Sequence, residues 1–262
     1  MDLRPFHTTV DGLTLRGSHY LPADRAPRGT AVLFHGFGGS RVETTGVFVT
    51  LARSLTEAGV AVVAYDRAGH GESDGDFFST TASGDIRQAH RVLEAVTRLE
   101  GTSGDEVHLV GMSLGAVIAS VVAAESPLPI RSLTMWSTAA VFTDDIRSGQ
   151  LQGKSLESLD TDGFFDFLGM RLGPDMRDDA LTFDVYGRAA PYRNPALLLH
   201  GDTDFVPVSY AARYLDDDVF GAGAELQVVA GADHGWAQVP QRDRLIERTT
   251  EFILSNTHGK KP

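Results

Sequence analysis

The chain has 262 residues with 35 acidic and 23 basic side chains, a formal charge of −12 with neutral histidines, and no cysteine. This acidity argues against nucleic-acid binding, which needs clustered Lys and Arg, and against attachment to a membrane through basic charge. The one basic run, Lys260-Lys261, lies in a terminal tail. Without cysteine there are no disulfides, thiolate nucleophiles or Cys-held zinc. Hydrophobic residues at 42% against 22% charged give the balance of a globular chain rather than a disordered one.

The N-terminus, Met1 to Phe6, has no charged-then-apolar leader. No apolar run approaches the ~20 residues of a bilayer span. A cytoplasmic protein follows as the expectation. Phe6–Val10 and Leu13–Tyr20 flank Asp11-Gly12, a dipeptide suited to a tight hairpin turn, so the chain should open on an antiparallel pair. Buried-type strands are then expected at Thr30–Phe34, Val60–Tyr65, Val107–Val110, Leu133–Trp136, Ala196–Leu199 and Leu226–Val229. Helices should lie between them at Glu43–Ala58, Asp85–Leu99, Leu114–Glu125, Ser209–Leu215 and Gln241–Leu254. In the second of these, Ile86, Ala89, Val92, Leu93 and Val96 form one apolar stripe.

This alternation predicts an α/β fold: a mostly parallel sheet, opened by the hairpin, with helices on both faces. The Asp- and Gly-rich stretch from Ala140 to Pro191 breaks the pattern with clusters such as Phe164-Phe165 and reads as a cap inserted into a single domain, 1–262.

The strongest chemical signal is Gly111-Met112-Ser113-Leu114-Gly115, between an apolar strand and an Ala/Val-rich helix. A G-x-S-x-G in that context puts Ser on a sharp turn where its hydroxyl is exposed and neighbouring backbone can approach. The bland alternative is a Ser that merely caps the helix. His35-Gly36-Phe37-Gly38-Gly39 follows the Thr30–Phe34 strand, where a Gly-rich turn exposes backbone N–H groups. With Ser113 as nucleophile, the donors to a tetrahedral oxyanion would be the N–H groups of Phe37 and Leu114.

His200-Gly201-Asp202-Thr203-Asp204 and Asp233-His234-Gly235 follow the strands at Ala196–Leu199 and Leu226–Val229. Open α/β sheets gather their sites at strand C-termini, so Ser113, an Asp and His234 can converge there. His35, His70 and His200 are second choices as base; His35 and His200 directly precede turn glycines and suit turn support better. No metal-ligand spacing is present, and neither phosphate-cradle motif occurs. No metal or cofactor is therefore expected.

These motifs, in this order, resemble the α/β-hydrolase superfamily over nearly the whole chain, which implies the α/β-hydrolase fold. Tyr65-Asp66-Arg67-Ala68-Gly69-His70-Gly71-Glu72-Ser73 resembles the family's D-x-R-G-x-G-x-S turn, with Ala68 in place of a glycine. The continuation to Phe77, Ser83-Gly84-Asp85-Ile86, and Val42-Glu43 resemble the feruloyl/cinnamoyl esterase branch. The resemblance implies Ser113 as nucleophile, His234 as general base and Asp204 as acid, with Asp202 the alternative; Pro207 falls one position earlier than in the family. It also implies that Asp145, Gln152 and Tyr186 in the cap meet a substrate's phenolic hydroxyl.

The activity implied is hydrolysis of small aromatic or short-chain esters, including hydroxycinnamates, through an acyl-enzyme. The expected partner is thus a small-molecule ester, with neither nucleic acid nor membrane; a homodimer is compatible with the sequence. Phe142, Phe164, Phe165, Phe167, Leu168 and Met170 would line an acyl pocket or pack the cap onto the body. A lipase- or thioesterase-like enzyme or a perhydrolase would use the same residues, whereas a non-catalytic relative of the fold would have lost them.

Overall fold

The computed structural model describes residues 1–258; Lys260-Lys261 lies outside them. Twelve strands and nine α-helices follow one another along the described chain. In the first half, β1 (Asp2–Val10) and β2 (Leu13–Leu21) precede β3 (Gly29–Phe34), α1 (Val47–Glu57), β4 (Val60–Tyr65) and α2 (Ala82–Thr97). Then come β5 (Val107–Met112), α3 (Leu114–Glu125) and β6 (Ile130–Trp136). The excursion holds α4 (Phe142–Arg147), β7 (Gln150–Leu151), β8 (Lys154–Ser155), α5 (Ser158–Thr161), β9 (Phe165–Phe167), β10 (Met170–Leu172), α6 (Pro174–Thr182) and α7 (Val185–Ala189). The chain returns through β11 (Ala196–Gly201), α8 (Val208–Ala212), β12 (Ala224–Val229) and α9 (Val239–Ser255).

Eight strands form one sheet in the order β1-β2-β4-β3-β5-β6-β11-β12. The hairpin joins it antiparallel through β2 and β4, and every pairing from β4 to β12 is parallel. The period-two geometry of a strand sends alternate side chains to opposite faces. In β3, Val32 and Phe34 accordingly join one core with α2 and α3, while Ala31 and Leu33 join another with α1 and α9. Both faces are covered, which is why the central strands read as unbroken apolar runs.

Several elements depart from the expected limits, and in three the reason is plain. β1 starts at Asp2 because its residues pair with β2 out to Leu21, yet as an edge strand facing water it carries Pro5 and no apolar pattern. The helix expected from Glu43 starts at Val47, because Glu43 at φ 57° and Gly46 at φ 74° hold a separate short turn ahead of it. Helix α2 begins three residues early: the Thr81 hydroxyl accepts the Gly84 N–H at 3.0 Å and caps it.

The excursion forms two small hairpins and short helices, with Phe165 and Phe167 buried and Leu168 exposed. Among the described residues no helix is long and apolar enough to cross a membrane.

Candidate active site

Ser113 sits between β5 and α3 at φ 56°, ψ −123°, a conformation that costs an L-residue about 1–3 kcal/mol. The surroundings over-determine it. Its N–H donates to the Trp136 carbonyl at 2.9 Å, and its carbonyl accepts from Ala116 at 3.0 Å and Ala139 at 3.2 Å.

The flanking glycines are needed for close approach. A Cβ on Gly111 would lie 2.4 Å from the Gly115 carbonyl oxygen, and one on Gly115 would lie 2.1 Å from that of Phe34. Helix α3 therefore presses its first turn onto the end of β3. Gly115→Ala should cost about 3 kcal/mol, since backbone must give way. That lowers Tm by about 5–10 °C in a chain of this size, and a thermal melt within 2 °C of the wild type would refute this account of the turn.

His234 and Asp204 reach Ser113 from the two loops that follow β12 and β11. The Ser113 hydroxyl donates to His234 Nε2 at 2.9 Å, and His234 Nδ1 donates to Asp204 Oδ1 at 2.8 Å. Asp233 holds this loop by accepting the Ala237 N–H at 2.8 Å. Burial works against the charge on Asp204, whose carboxylate is fully covered, but the His234 ring and the Val206 N–H at 2.8 Å outweigh it and hold the carboxyl below its usual range. Asp202, the alternative acid, faces solvent and accepts the Gly231 N–H at 2.7 Å, outside this chain of bonds.

The other histidines are bonded elsewhere. His35 Nδ1 donates to the Gly36 carbonyl at 2.8 Å, while its Nε2 accepts the Arg67 N–H at 3.0 Å. Burial pushes the His35 imidazole far below its ordinary pKa, so the ring is neutral. His200 Nε2 donates to the Val206 carbonyl at 2.8 Å beneath the acid loop. His70 Nδ1 donates to the Ala68 carbonyl at 3.0 Å.

The turn after β3 lies against Ser113, so that a Cβ on Gly36 would come within 3.2 Å of Ser113 Cβ. Among the described residues, neither the Phe37 nor the Leu114 N–H has a protein acceptor. Glu43, which sequence reasoning did not single out as a site residue, accepts the N–H groups of Gly36 and Thr44. Burial raises its pKa, against the pull of those donors and of the nearby Arg67 and His234 side chains. An acid standing just after a Gly-rich turn was the available signal.

A cavity opens beside Ser113. Phe37, Leu114, Ala139, Val141, Phe142, Leu151, Met176 and Phe205 supply its apolar wall, and Asp145 and Gln152 its polar groups. Asp145 Oδ2 accepts the Gln152 N–H at 3.2 Å. Phe205 is exposed and lies over the His234 ring, with centroids 4.2 Å apart.

Tyr186 does not belong to this wall. Its hydroxyl donates to the Tyr210 carbonyl at 3.0 Å and its ring packs on Tyr214, so the sequence-based assignment to the substrate site is corrected. Of the inserted segment's large apolar residues, Phe142 lines the cavity, whereas Phe167 packs against Phe37 at 4.7 Å and Phe164 lies under Arg171.

A model of the alpha/beta hydrolase family matches residues 31–248, and the chain belongs to that family. A monoacylglycerol lipase of Mycolicibacterium smegmatis is 24% identical over 259 residues, which cover 89% of this chain and 90% of the relative. Among solved structures, Est1E from Butyrivibrio proteoclasticus with ferulic acid bound superposes with a TM-score of 0.85 at 25% identity, over 96% of this chain and 98% of Est1E. The α/β hydrolase GrgF from Penicillium, with a TM-score of 0.74 at 16% identity over 98% and 99% of the two chains, shares the fold alone. The sequence resemblance to the feruloyl/cinnamoyl branch thus has a solved counterpart that holds ferulic acid.

Proposed function

We propose that the protein is a serine carboxylic-ester hydrolase that works through an acyl-enzyme on small aromatic or short-chain esters, hydroxycinnamates among them. The observation that carries this reading is the continuous chain of bonds from Asp204 through His234 to a strained Ser113 that opens on a cavity. An unaided Ser hydroxyl is a poor nucleophile near neutrality, and an adjacent imidazole remedies this. As Ser113 Oγ bonds to the ester carbonyl carbon, its proton passes to His234 Nε2. The carbonyl oxygen, now negative, takes hydrogen bonds from the Phe37 and Leu114 N–H groups. Collapse breaks the bond to the alcohol oxygen, which leaves with the proton from His234. Water, deprotonated by the same ring, then releases the acid and restores Ser113.

Asp145 and Gln152, set in an otherwise apolar wall, support an aromatic acyl group with a distal hydroxyl, as does the likeness to a structure that holds ferulic acid. The inserted segment would then act as the cap that shapes the acyl pocket. A second reading, hydrolysis of longer acyl chains, is favoured by the exposed Phe205 at the cavity and by the likeness to a monoacylglycerol lipase.

A panel of p-nitrophenyl acetate, butyrate and decanoate with methyl ferulate, run on the wild type and Ser113→Ala in parallel, tests the proposal. Turnover of ferulate that vanishes in the variant is the expected result. Asp145→Asn should then raise KM for methyl ferulate about tenfold, the equivalent of one charge-assisted hydrogen bond, with p-nitrophenyl butyrate little affected. Serine-dependent activity on alkyl esters alone would discard the aromatic specificity, and equal rates for both proteins would sink the hydrolase.

A further inference from the structure

Two peptide groups meet at Gly36, and charged side chains hold both. The Gly36 N–H donates to Glu43 Oε1. The Gly36 carbonyl, which belongs to the same peptide unit as the Phe37 N–H, accepts from Arg67 Nη2 at 2.7 Å and from His35 Nδ1 at 2.8 Å. That peptide is trans, so its C=O and N–H point in opposite directions. Two donors that grip the oxygen therefore fix where the Phe37 hydrogen points. A cation on the carbonyl oxygen also polarises the amide and makes its N–H a stronger donor.

Arg67 is 1% exposed, and its Nη1 is bound by Asp85 Oδ2, which is 3% exposed in the first turn of α2. A buried pair of this kind is weak evidence for stability, because desolvating two charges offsets much of their attraction. The pair instead connects α2 to the peptide beside the nucleophile. The turn carrying Arg67 is fastened independently: Asp66 accepts the Arg41 N–H at 2.6 Å and the Glu72 N–H at 3.0 Å.

We propose that Arg67, held by Asp85, is a positioning residue for the oxyanion hole, which it serves by aiming and polarising the Phe37 N–H. The inference rests on the serine-hydrolase reading. Removing an oxyanion donor outright costs about 10²–10³-fold in kcat, so a donor that is retained but unaimed should cost about 10- to 100-fold.

The test uses Arg67→Lys, which keeps the charge but loses the fork that reaches both partners, and the double variant Arg67→Met/Asp85→Leu. The double variant leaves no unpaired buried charge and so protects the fold. In each, kcat and KM for p-nitrophenyl butyrate, the Ki of an alkyl boronic acid that forms a tetrahedral adduct on Ser113, and Tm are measured. The expected result is a 10- to 100-fold fall in kcat and a matching rise in the boronate Ki, with KM changed less than about threefold. A merely structural role would move Tm without this split.

The inference is overturned if a folded variant keeps kcat and boronate affinity within about twofold of the wild type. It is also overturned, without any variant, if a crystal structure of the wild-type boronate adduct places the oxyanion-side oxygen beyond about 3.1 Å from the Phe37 nitrogen. A wild type with no serine-dependent turnover is a different failure: it removes the hydrolase reading itself.

Discussion

Ser113→Ala and His234→Ala should each lower kcat on an activated ester by about 10⁴–10⁶-fold, and the double variant should be no slower than the worse single one. The non-additivity follows from the bonding pattern: His234 Nε2 accepts the Ser113 hydroxyl, so either loss removes the same proton transfer. Asp204→Asn should cost about 10⁴-fold with the fold intact, because an amide facing Nδ1 favours the wrong imidazole tautomer. Asp202→Asn is the control and should change kcat less than about twofold, since Asp202 bonds only the exposed Gly231 turn. Some rate above that of water should survive in every variant, owed to the N–H donors and to binding. If Asp202→Asn proved more damaging than Asp204→Asn, the assignment of the acid would be wrong.

The body of the fold was legible because its central strands are buried on both faces, helices such as α1 and α2 carry one-sided stripes, and α3 is apolar all round. Val60–Tyr65 and the stripe of α2 needed no tertiary information. The opening hairpin was legible from Asp11-Gly12, but not the reach of β1 back to Asp2, since an edge strand is half solvated; the hairpin of β9 and β10 was not legible, because three-residue strands are too short to show a period. The bonded set of Ser113, His234 and Asp204 had signals in the sequence: motif order offered Ser113, His234 and an Asp, and the family resemblance preferred Asp204 to Asp202. Tyr186 was misplaced because the presence of a Tyr in an inserted segment says nothing about which way its ring faces. Arg67 was visible only as part of a familiar turn, and Asp85 only as part of the Ser83-Gly84-Asp85-Ile86 stretch that opens a helix. Their signal lay in the helix, where Asp85 stands four residues before Ala89 at the head of the apolar stripe, an acid on a face meant for burial.

Lowering the pH from 7.5 to 5 should remove about 4 kcal/mol of folding stability through His70 and His108. Burial, and secondarily Arg67, pushes His70 down to about 3; burial, and secondarily Arg131, pushes His108 down to about 4. Once unfolded, both rings titrate near 6.5. Below that pH the unfolded chain binds protons that the native state refuses, so stability falls as pH drops from about 6.5 until the native rings themselves protonate near 4 and 3. Each ring contributes about 1.4 kcal/mol per pH unit, or about 2 kcal/mol at pH 5, and His35, which burial also pushes well below its ordinary value, acts in the same sense. Asp204 belongs to a different window. Its lowered carboxyl keeps its contribution until the pH nears the unfolded carboxylate value of about 3.9, and loses it only as the pH falls through the native value below that. Set against the about 5–15 kcal/mol of a typical domain, this is a large share at the lower end and a smaller one at the upper, so the midpoint of urea unfolding should fall clearly between pH 7.5 and 5. His108 bonds Ser132 Oγ at 2.8 Å and Thr257 Oγ1 at 3.2 Å, so His108→Gln will be weaker at pH 7.5, but its urea midpoint should change less between pH 7.5 and 5 than that of the wild type. Parallel pH profiles for the two proteins would show that His108 is not a source of the acid sensitivity.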